Sequence, residues 1–170
     1  NLYVNATVTV SGDYAGGIAG FIYGSDSSDY ISFSKFNGSI KGGERTGGIA
    51  GAVDGVSRVS YCTNYGMVQG ADFTGGIIGH TEYSDGVPEV YKNVNIGDVE
   101  GQHAIGGVCG HVTGDGENEI IIQYCGNFGK ISGSGNVGGE EVKGWYGLGG
   151  ILGSCDHEQI IVAHCSNHGE

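Results

Sequence analysis

The residues best suited to chemistry are carboxylates, a few aromatic rings, histidines and cysteines. Asp115, Glu117 and Asn118 place three oxygen donors within four positions of the loop that follows Gly114. Oxygen donors in that density suit Ca²⁺. Further carboxylates occur at matching places earlier and later: Asp26, Asp29, Asp54, Glu82, Asp85, Glu89, Glu119, Asp156 and Glu158. Brought one above another, such groups repel unless water or a divalent cation intervenes. Neither the EF-hand spacing nor the RTX nonapeptide is present, so solvated loops are the favoured reading, with Ca²⁺ the sole candidate cofactor.

The aromatic candidates are of two kinds. Trp145, the single tryptophan, and Tyr146 lie in the stretch 134–148, which is longer than its counterparts elsewhere in the chain. A ring pair on a loop leaving a rigid scaffold is placed to stack on a sugar or to anchor a protein partner. Covering an exposed edge of the fold is the plainer alternative and is favoured. Tyr61 and Tyr124 share a repeat position with Phe33, Lys92 and His164, an outward column suited to glycan binding or to cross-strand packing, with packing favoured. His80 and His111 are also equivalent, but two imidazoles without a third ligand do not make a zinc site. Three of the five cysteines, Cys62, Cys125 and Cys165, recur at a position shared with Ser34 and Asn93, and Cys109 and Cys155 fall in other columns, which marks them as small buried residues rather than nucleophiles or disulfide partners.

These residues are positioned by a repeat. Gly16-Gly17-Ile18-Ala19-Gly20 returns at Gly47, Gly75, Gly106 and Gly149, at intervals of 31, 28, 31 and 43 residues. A period in this range marks a stacked, quasi-one-dimensional fold. A second motif follows each block, clearest from Val59 to Gly70 and repeated at Val90–Gly101, Ile122–Gly133 and Val162–Gly169. Each unit supplies three short extended pieces separated by glycine or asparagine, where tight turns are expected. Three strands in about 30 residues describe one coil of a parallel β-helix, here about five coils, with a right-handed path expected from crossover chirality. The 134–148 stretch is a loop insertion between coils. Residues 1–170 thus form one solenoid domain, and its end inside a coil suggests a segment of a longer protein.

Stacking puts like on like. Ile49, Ile77, Val108 and Ile151 make one interior ladder with Ile18, and Ile40, Val68, Val99 and Ile131 a second. Cys62, Cys125 and Cys165 belong to a small, semi-polar third. Asn64, Asn95, Asn127 and Asn167 form an asparagine ladder whose amides can bond one another and the turn carbonyls.

The blocks GGIAG, GGIIG, GGVCG and GGILG resemble the GLUG repeat, a glycine-rich unit of bacterial surface proteins. That family includes adhesin-like proteins and the zinc metallopeptidases that cleave immunoglobulin A. The resemblance covers nearly the whole chain and implies a cell-surface or secreted bacterial protein. It does not carry the peptidase activity, since the signature H-E-x-x-H is absent.

Composition agrees. Glycine supplies 37 of 170 residues without a three-residue period, which excludes collagen. A net charge of −12, from 19 acidic and 7 basic residues, argues against nucleic acid and anionic membranes as partners. No segment reaches the roughly 20 apolar residues of a membrane-spanning helix. The expected function is a non-catalytic extracellular scaffold, adhesin-like, that binds a glycan or a partner protein. The alternative is a carbohydrate-active β-helix enzyme, a polysaccharide lyase or glycoside hydrolase. That class needs a base beside the acidic residues, and the lysines and arginines form no such cluster.

Overall fold

The computed structural model describes residues 1–25, 29–83, 86–114, 119–134 and 147–169. Its described residues contain no helix and form short strands joined by bends and irregular links, wound into a parallel β-solenoid of about four turns. Five glycine blocks had suggested five coils. Five blocks bound only four intervals, and the lower count follows. The turns are also more finely divided than the three expected pieces. One turn runs through Thr46–Gly47, Ala50–Gly55, Arg58–Ser60, Thr63–Asn64 and Met67–Gln69, five short strands shared among four sheets.

Three sheets have five strands each, and the fourth has nine because the long strand Lys35–Lys41 pairs with both Thr63–Asn64 and Met67–Gln69. Every pairing is parallel and in register with the turn before and after. Parallel stacking is what allows a residue type to repeat on itself along the rod.

The predicted interior ladders are present. Ile49, Ile77 and Val108 are fully buried, and their backbones bond turn to turn from Ile18 through to Ile151. Ile40, Val68 and Val99 are likewise buried in register with Ile131, and Val8 extends that ladder by one turn.

The glycine blocks do something other than turn the chain. An added Cβ at Gly47 would overlap the Ala50 carbonyl oxygen, and one at Gly51 would come within 2.7 Å of the Arg45 carbonyl oxygen. The strands either side of the block therefore lie backbone against backbone, which leaves no room for side chains. The middle glycine has a different neighbour: a Cβ at Gly76 would overlap both the Gly107 carbonyl oxygen and the Asn95 amide.

The corners fall to residues that sequence would not nominate. Nine non-glycine residues adopt left-handed φ between 49° and 64°, and they fall in two columns. Tyr14, Arg45, Phe73 and Ala104 form the first, and Phe33, Tyr61, Lys92, Tyr124 and His164 the second. Left-handed backbone is costly for bulky side chains. Repetition at every turn shows that the bend is imposed by the coil, with the ladder packing described below to offset it.

Candidate functional site

The buried polar ladders come first, because they account for many of the chemically capable residues. Asn64 Nδ2 donates to Asn95 Oδ1, Asn95 Nδ2 to Asn127 Oδ1, and Asn127 Nδ2 to Asn167 Oδ1, each at 2.8 Å. The same amides donate to the carbonyls of Gly66, Gly97 and Gly129 at 2.7–2.9 Å. Buried amides satisfied in this way are structural. Phe36 holds this column in the turn before Asn64.

The cysteine column follows a common rule. Its side-chain acceptor receives a backbone N–H from the preceding turn: Leu2 to Ser34 Oγ, Cys62 to Asn93 Oδ1, Asn93 to Cys125 Sγ, and Cys125 to Cys165 Sγ. The thiols of Cys62, Cys125 and Cys165 each donate to the carbonyl two residues back at 3.3 Å. Serine, asparagine and cysteine interchange here because all three supply that acceptor. All five cysteines are free. Burial pushes the thiols of Cys109 and Cys125 up to about 12 and raises those of Cys62 and Cys155, the opposite of nucleophile activation.

His80 and His111 do stand in register on adjacent turns, their rings parallel at 5.5 Å. Phe73 stacks on both, and the Arg45 guanidinium lies between the Tyr14 and Phe73 rings at 5.2 and 5.5 Å. His80 Nε2 meets Thr113 Oγ1 at 3.0 Å, and His111 Nδ1 meets Ser154 Oγ at 2.6 Å. Burial, with His111 and Arg45 nearby, lowers His80 to about 3, and burial lowers His111 to about 4. Both are neutral at ordinary pH. Among the described residues no three histidine, cysteine or carboxylate groups converge on a common point.

Of the acidic candidates, Asp54, Glu82 and Asp156 share one column with Thr113 between the last two. Asp54 corrects an expectation, because it is buried within a strand rather than held in a solvated loop, and its Oδ1 accepts the Gly55 N–H. The candidate ligands Asp115, Glu117 and Asn118 lie outside the described residues, as do Trp145 and Tyr146.

The second corner column carries the surface feature of most interest. Phe33 stacks on Tyr61 at 4.7 Å, and Tyr124 on His164 at 4.8 Å. Tyr91 meets Tyr61 and Tyr124 edge-on, and the Lys92 ammonium lies 5.3, 5.0 and 5.9 Å from the Tyr61, Tyr91 and Tyr124 rings. The result is a ridge of stacked rings with a cation set among them. Tyr61 and Tyr124 were expected to face outward by strand alternation. They do face outward, but because a left-handed bend turns them out at the corner.

A parallel column was missed. Tyr65, Ile96, Phe128 and His168 follow the asparagine ladder by one residue and also point outward, with Phe128 and His168 stacked at 5.0 Å. Between the two columns runs a line of smaller residues, Thr63, Val94, Gly126 and Ser166, in register with Lys35 of the first turn. At about 3.3 Å per residue, the two ridges stand roughly 13 Å apart along the strand direction. Phe33, Tyr61, Tyr65, Ile96, Tyr124 and Phe128 are each 41–56 % exposed on this one face. Single exposed apolar residues are ordinary, but a contiguous set marks an interaction surface. The sequence signal was available: an apolar or aromatic residue recurs directly after each asparagine, at an outward position.

Elsewhere a shallow trough of about 260 Å³ is lined by Lys41, Gln69, Glu100, Gln102 and Ser134. Gln69 Nε2 donates to Glu100 Oε2 within it at 2.9 Å. Its lining side chains are polar and include no ring. The chain matches no family model, no curated protein and no solved structure.

Proposed function

We propose that this solenoid is a non-catalytic scaffold of a bacterial surface or secreted protein, and that it binds a glycan on the face between the two ridges. The observation that carries the reading is the set of six large exposed side chains, aromatic but for Ile96, held on one face by the stacked turns. Ring edges and tyrosine hydroxyls together match the mixed C–H and O–H surface of a sugar. The display repeats at each turn, about 4.8 Å apart, which suits a polymer with its own short repeat better than an irregular protein surface. The GLUG-like blocks and the acidic, self-repelling composition support the cellular setting.

A glycan array tests this directly. Retention of polysaccharide without release of products is expected, and a Tyr61→Ala, Tyr124→Ala double variant should lose binding while melting normally. Turnover of the bound polymer would favour the carbohydrate-active enzyme instead. Unchanged binding by the double variant would move the site elsewhere.

A further inference from the structure

We infer that the ligand of this face is an acidic polysaccharide lying along the rod, its carboxylates met by Lys35 and Lys92; the inference rests on the glycan reading above. Charge distribution is the first argument. The chain carries 19 carboxylates and a net charge of −12, yet no residue of the three columns is acidic from Phe33 to His164, from Lys35 to Ser166 or from Asn37 to His168. Two of the seven basic residues, Lys35 and Lys92, stand there instead. A neutral ligand would have tolerated carboxylates on this face, as most of the remaining surface does.

The second argument is the setting of Lys92. Among the described residues neither Lys92 nor Lys35 forms an ion pair, whereas Arg45 and Arg58 do. Lys92 is held among three rings by cation–π contact, and its hydrogen bond with the Tyr91 side chain, followed by the neighbouring phenols, raises it above the usual lysine range. It therefore presents a fixed, uncompensated positive charge beside exposed rings. A carboxylated sugar supplies both partners such a place needs: a C–H surface for the ring edges and an anion for the ammonium. Lys35 and Lys92 stand two turns apart, roughly 10 Å along the axis, so one extended chain with regularly spaced carboxylates reaches both.

The test compares polymers that differ only in charge. Polygalacturonate, alginate and hyaluronate are titrated against their methyl-esterified forms, which keep the sugars and remove the anion. Each acidic form should bind at least about tenfold more tightly than its ester. Lys92→Gln and Lys35→Gln should abolish most of that preference, read as the ratio of acid to ester affinity, with cooperative unfolding retained. Lys41→Gln, on a different column, should preserve it. Equal affinity for acid and ester, or a preference that survives the double lysine variant, overturns the acidic-ligand inference and leaves the glycan reading standing. Binding of no polysaccharide, acidic or neutral, overturns both, and saturable binding of a purified surface protein to the same face would then identify the other class of partner.

Discussion

Two ladders in this molecule have the same geometry and opposite surroundings. The asparagine ladder is buried and nearly invariant from turn to turn, whereas the ridge from Phe33 to His164 is exposed and mixes phenylalanine, tyrosine, lysine and histidine. Inside, each amide must both give and receive a hydrogen bond, because an unmade one cannot be replaced by water. Outside, any side chain that stacks or covers the left-handed corner suffices, and composition is free to serve a ligand. Uniformity in a column thus reports buried groups that must both give and receive, whereas the buried column of Ser34, Cys62, Asn93 and Cys125 varies because it needs only an acceptor.

The sharpest way to break the interior ladder is through the glycine beneath it. Gly76→Ala puts a methyl into the Gly107 carbonyl and the Asn95 amide, and should cost more than about 4 kcal/mol, read as loss of cooperative unfolding in urea. Asn95→Ala comes next. It strips partners from Asn64 Nδ2, the Gly97 carbonyl and Asn127 Oδ1, and should cost about 3–5 kcal/mol. The same change at exposed Asn167 removes only the acceptor of Asn127 Nδ2, at a position water can reach, and should cost under about 1 kcal/mol.

Acid titration probes a third column, the buried His80–His111 pair. Both folded values, about 3 and about 4, lie below the ordinary 6.5, so each histidine's contribution is complete above pH 6.5 and is lost as pH falls toward 4. By pH 5.5 the pair should have lost about 2–3 kcal/mol of stability, at about 1.4 kcal/mol per unit for each ring. His80→Ala should halve the steepness of a stability–pH curve, and an unchanged curve would refute the assignment. The smallest effect on folding belongs to the ridge. Tyr61→Ala should change stability by about 1 kcal/mol or less, since its contacts are stacking at a wet surface, yet it should weaken polysaccharide binding severalfold.

Much of this was legible beforehand. The intervals between glycine blocks establish the parallel stack, and the two recurring Ile/Val positions together with the Cys/Ser/Asn and Asn positions identify four interior columns, because in-register stacking converts sequence period into spatial contact. His80 over His111 was legible for the same reason. Asp54 was not, since nothing local distinguishes a strand carboxylate from a loop one. The corner at Tyr61 was not, since left-handed backbone is rare for tyrosine and no residue type announces it.

By itself, then, the sequence determined which residues lie above which, a relation along the rod set by the repeat length alone. Relations around the rod belonged to the tertiary structure. Where the chain bends, which columns become neighbours, and that the Tyr61 and Tyr65 columns flank one shared face all depend on the packing of four sheets around a common core. The physical reason is that stacking repeats one local rule, while the cross-section is a compromise among every strand of the turn.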